Sequence, residues 1–119
     1  MEGIGMQKSK ARIMADEVID SLIKHIGKGA TDFQVKGINE DPNHKTFIVE
    51  FKAYEFYWVG IDYEKGRVTP YIVEGAHIIK LKNITSWWEE MTLDLWVDEL
   101  DMELKLRIPD KYLINKGWV

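Results

Sequence analysis

The chain has 119 residues, enough for one compact domain and too few for two ordinary ones. Its composition is 45% hydrophobic and 30% charged with nine glycines and three prolines, which excludes collagen-like, low-complexity and disordered chains. The absence of cysteine excludes a disulfide scaffold and a thiolate site, no apolar run is long enough to span a membrane, and a net charge of −4 is the wrong sign for a protein that lives on nucleic-acid phosphates.

Residues 1–8 carry no apolar signal region and read as a flexible N-terminus, with 9–119 as a single α+β domain. The same features lead to the expectation of a cytoplasmic protein. From Ser9 to Ile26 the apolar residues Ala11, Met14, Ala15, Val18, Ile19, Leu22 and Ile26 recur at steps of three and four, the signature of an amphipathic helix. Gly27 and Gly29 stop it.

Strand signals follow. Phe33 and Val35 alternate with Gln34 and Lys36, and Asn39-Glu40-Asp41-Pro42-Asn43 marks a surface turn. From Thr46 to Tyr63 nearly every residue is a strand former. Fully extended, that run would span roughly 60 Å, against a radius of gyration of about 13.5 Å for a compact chain of this length. It must fold back, and the reach argument places the reversal around Lys52-Ala53-Tyr54-Glu55 although no turn residue marks it. Tyr63-Glu64-Lys65-Gly66 is a hairpin loop, and Val68 to Val73 forms a strand whose Pro70 implies an edge or a bulge. After a turn at Glu74-Gly75-Ala76, His77 to Lys82 closes the sheet. The predicted architecture is α+β: an N-terminal helix, an antiparallel meander of four to five strands, and a C-terminal helix packed near the sheet.

The net charge has an address. Residues 1–85 carry 12 acidic and 12 basic side chains, residues 86–104 carry seven acids and no base, and residues 105–119 carry four bases and one acid. Ser86-Trp87-Trp88-Glu89 has the form of a capping box, which predicts a helix starting at Ser86 and running to about Leu100. On a helical wheel Ile84, Trp88, Met91 and Leu95 share one side and Leu93, Trp96, Leu100 and Leu104 the other. Glu90, Asp94, Asp98 and Asp101 form an acidic stripe between them. Residues 101–108 alternate like a strand yet consist of helix formers with i,i+4 ion pairs, and both readings stay open.

Catalytic chemistry is thinly represented. Three serines lie outside any nucleophile elbow, there is no phosphate-binding loop, and His25, His44 and His77 show no ligand spacing. No cofactor or metal is expected. The leading expectation is a non-enzymatic protein-binding module of the inhibitor, immunity-like or regulatory kind. It would use Trp87, Glu90, Asp94, Trp96, Asp98 and Asp101 to meet a protein with a basic surface or a second copy of itself, and neither nucleic acid nor membrane. The alternative is a small-ligand binder or modest enzyme on a concave, aromatic-lined sheet, with Glu50, Tyr57, Tyr71 and His77 as its polar groups.

Overall fold

The computed structural model describes residues 9–119, so the expectation of a flexible segment at 1–8 lies outside the described residues. Helix α1 spans Lys10–His25. Ser9 caps it, its Oγ accepting from the Arg12 amide at 3.1 Å, and the Glu40 carboxylate takes the neighbouring Ala11 amide at 3.0 Å. Gly27, at φ 68°, occupies the left-handed conformation that ends the helix without a Cβ clash.

Strands β1 (Ala30–Asn39), β2 (Thr46–Ala53), β3 (Tyr57–Glu64), β4 (Arg67–Glu74) and β5 (His77–Lys80) form an antiparallel meander in that spatial order. A sixth strand, β6 (Ser86–Trp87), pairs with the start of β4. Helices α2 (Leu93–Leu106) and α3 (Asp110–Asn115) complete an α+β fold. No helix among the described residues is long and apolar enough to cross a membrane.

Alternation along the strands divides the sheet into two faces. Phe47, Val49 and Phe51 of β2, Val59 and Ile61 of β3, and Val68 and Ile72 of β4 are buried on the helix-covered face. There they meet Val18 and Leu22 of α1 and Trp96, Val97, Leu100 and Leu104 of α2 in one contiguous core. The register sets Glu50, Gly60, Tyr71 and Lys80 in a row across the opposite face, which no described helix covers.

The structure revises several expectations. The β2–β3 reversal falls where reach placed it, but through Tyr54 and Glu55, both non-glycine residues at positive φ. Tertiary contacts hold Tyr54 there: its amide donates to the Gly29 carbonyl at 2.6 Å, its hydroxyl donates to Asp101, and its ring meets Trp118 edge-on. Pro70 sits in an interior strand. In the hairpin register Ile61↔Pro70 is a non-hydrogen-bonded pair, so the proline nitrogen points away from β3, toward the gap where the neighbour of β4 changes from β6 to β5.

The largest correction concerns the C-terminal helix. Ser86-Trp87 is not a helix start. It is β6, followed by a single 3₁₀ turn at Trp88–Glu90, and the helix begins at Leu93 and continues through Leu106. Sheet pairing wins over the local capping pattern. Arg67 and Val68 pair with Trp87 and Ser86, the Trp88 amide donates to the Gly66 carbonyl at 2.8 Å, and the Trp88 ring packs edge-on against Tyr63. Residues 101–106, open in sequence, are helical.

Candidate functional site

Helix α2 presents a buried side, a polar side and an exposed apolar side. Its inner side buries Trp96, Val97, Leu100 and Leu104. The Trp96 indole Nε1 donates to the Ile84 carbonyl at 2.7 Å, which fixes the helix to the segment before β6.

The side toward α1 is polar. The Ser21 hydroxyl donates to Asp94 Oδ1 at 2.6 Å and Lys24 Nζ lies 3.3 Å from Asp94 Oδ2. His25 closes α1 between two carboxylates, Nε2 at 3.3 Å from Asp94 and Nδ1 at 3.1 Å from Asp98. The Asp94 carboxyl is held down at about 2, first by the Ser21 hydroxyl, which with Lys24 and His25 outweighs the opposing effect of desolvation.

Toward the C-terminus, Asp101 accepts the Tyr54 hydroxyl and lies 3.3 Å from Lys105, and Glu103 pairs with Arg107 at 2.8 Å. Burial, followed by the Asp101 carboxylate, pushes the Tyr54 phenol well above its usual range. Both acids are therefore partly committed within the chain.

The outer side is apolar. Leu95, Met102 and Leu106 are 65%, 66% and 77% exposed. Separated by seven and four residues, they fall within about 40° of arc and extend over about 16 Å. At the N-terminal end of this ridge a groove of about 380 Å³ opens between α2 and residues 83–86, with Met91, Leu95 and Trp96 against Thr85 and Glu99. Glu89, Glu90 and Glu99 have no ion pair among the described residues. An exposed apolar ridge with the Glu99 carboxylate beside it can seat an apolar surface that carries positive charge.

The six residues expected to bind a partner are not brought onto one surface. Trp96 is 3% exposed and belongs to the core. Asp94 and Asp98 face α1, Asp101 faces Tyr54, and Glu90 is exposed in the 3₁₀ turn. Trp87 lies on β6 with the Arg67 guanidinium 5.1 Å from its ring, on the sheet face opposite the helices. Met102 and Leu106 are not marked as surface residues by sequence, because residues 101–108 fit both the strand and the helix period. Their spacing from Leu95 is the signal that identifies them once the helix is known to continue.

Of the four residues considered for a sheet-borne ligand site, the structure unites two. The Tyr71 hydroxyl donates to Glu50 Oε2 at 3.2 Å, and Lys36 Nζ lies 2.9 Å from the same oxygen. Burial and then the Glu50 carboxylate push the Tyr71 phenol up to about 12. Beside this network a cleft of about 400 Å³ is lined by Asp62, Arg67, Thr69, Tyr71, Lys80 and Trp87. Burial and the neighbouring Glu64 raise the Asp62 carboxyl. Tyr57 points to the opposite side, where its hydroxyl donates to the Leu104 carbonyl, and His77 is exposed at the start of β5. No group of three or more metal-ligating side chains is assembled among the described residues.

No protein-family model matches the chain, and no curated protein and no solved structure matches it either.

Proposed function

We propose that the chain is a small, non-enzymatic protein-binding module of an inhibitory, immunity-like or regulatory kind, whose contact surface is the outer side of α2. The observation that carries this reading is the exposed ridge of Leu95, Met102 and Leu106 with Glu99 on its border and the groove at its end. Isolated exposed leucines are ordinary, but three large apolar side chains aligned on one side of a helix are of the kind partners cover. The partner is a protein with a basic surface or a second copy of the chain.

The test is a pull-down from the native lysate with the immobilised chain and its Leu95→Asp, Met102→Asp and Trp87→Ala variants. A specific partner should be retained by the Trp87 variant and lost with either α2 variant. Retention by all three would remove α2 from the contact.

The second reading, a small-ligand site on the open sheet face, draws support from the cleft beside Tyr71 and from the Lys36–Glu50–Tyr71 network. A thermal-shift screen against a broad metabolite library addresses it, since a ligand of the native state raises the melting temperature by mass action. A flat response across the library would dismiss it.

A further inference from the structure

We propose that the α2 ridge seats one basic amphipathic helix of another protein and not a second copy of this chain. This rests on the reading of α2 as the contact surface and adds the chemistry of its occupant.

The shape of the ridge selects a helix. Three side chains within about 40° of arc form a seam one side chain wide, the form that a single apolar helical stripe covers. A flat or extended partner would leave much of such a seam uncovered, while a helix with apolar residues at matching steps interlocks along its length. The groove between α2 and residues 83–86 lies at one end of the ridge and receives a large anchoring side chain from the same helix.

The charge around the ridge selects against self-association. Helix α2 carries Asp94, Asp98, Glu99, Asp101 and Glu103 against the single base Lys105. In a parallel pair of α2 helices, Glu99 of one copy approaches Glu99 of the other. In an antiparallel pair that sets Leu95 against Leu106, the same register sets Glu99 of each copy against Met102 and beside Glu103 of the other. Either arrangement dries the Glu99 carboxylate next to like charge or next to a methionine. Lysines or arginines flanking the apolar stripe of a partner helix would instead meet Glu99, whose carboxylate has no ion pair among the described residues. One helix on a ridge about 16 Å long buries less than the roughly 1,000 Å² of a stable complex, so affinity in the micromolar range is expected.

The experiment uses the full chain and three fluorescein-labelled 18-residue peptides. One is an amphipathic Leu/Lys helix, the second has every Lys replaced by Glu, and the third is the Leu/Lys peptide with a central proline. Fluorescence anisotropy should show micromolar binding of the first and at least about tenfold weaker binding of the other two. Met102→Asp should weaken the Leu/Lys peptide by at least about tenfold, and Trp87→Ala should leave it unchanged. Glu99→Lys should weaken the Leu/Lys peptide and strengthen the Leu/Glu peptide. Far-UV circular dichroism of each variant checks that it is folded.

Absence of Leu/Lys binding overturns the proposal. So does binding that ignores both Met102→Asp and Glu99→Lys, which would be general attraction to an acidic protein. Light scattering separates the two levels of the argument. A dimer that Met102→Asp converts to monomer would overturn the basic helix as occupant while keeping α2 as the contact surface. Insensitivity of both the peptide and the lysate partner to Met102→Asp would remove the surface itself.

Discussion

Leu95 and Trp96 are adjacent in sequence and point about 100° apart on α2, one into solvent and the other into the core with its indole N–H on the Ile84 carbonyl. Trp96→Phe removes that buried hydrogen bond and leaves a void. A loss of about 2 kcal/mol is expected, read as a lower urea midpoint with an unchanged slope. On the open sheet face, a Cβ at Gly60 would overlap the Tyr71 ring, which is itself nearly buried and tied to Glu50. Gly60→Ala should therefore cost about 1–3 kcal/mol by displacing that ring. In a Tyr71→Ala background most of the cost should vanish, so a double-mutant cycle by chemical denaturation reads the contact directly. Neither contact is visible in sequence: Gly60 and Tyr71 are ordinary strand residues until the β3–β4 register sets them opposite each other.

At the scale of elements, the seam between α1 and α2 is fastened by Ser21, Lys24 and His25 against Asp94 and Asp98. The Asp94 carboxyl ionises near 2 in the folded chain against 3.8 ordinarily. A group depressed on folding stabilises fully above its ordinary value and loses that contribution as pH falls through its folded value. The stability difference between wild type and Asp94→Asn should thus close as pH falls between about pH 4 and pH 2, measured as melting temperature against pH. Ser21→Ala removes the main cause of the depression, and the Asp94 titration followed by NMR should move up toward 3.8. The acids of this seam were legible in sequence as a stripe of like charge. Their partners were not, because they lie some 70 residues away on α1. The capping pattern at Ser86 misled for a related reason. A four-residue motif contributes about 1 kcal/mol, and strand pairing with β4 together with the Trp88–Tyr63 contact outweighs it.

At the scale of the molecule, the stabilising core contacts and the proposed contact surface lie on opposite sides of one helix. Leu100 is fully buried in the core that α2 shares with α1 and the sheet, and Leu100→Ala should cost about 2–5 kcal/mol, a large part of the stability of a small domain. Leu95→Ala should stay within about 0.5 kcal/mol of wild type in urea denaturation while weakening the proposed partner contact. If charge guides that contact, its association rate should fall as salt rises from 0.05 to about 0.5 M, because exposed charges are screened within about 10 Å at 0.1 M. Stopped-flow mixing with the Leu/Lys peptide measures it. Sequence by itself determined the α+β class, the first helix with both its ends, the meander, the β2–β3 reversal and the concentration of acid in residues 86–104. These follow from local period and chain reach, which neighbours in sequence carry. Only the tertiary structure decided where the last helix begins, which of its sides is buried, and which acids are already answered by α1, Tyr54 and Arg107. Those depend on contacts between residues far apart in the chain, and no periodicity encodes them.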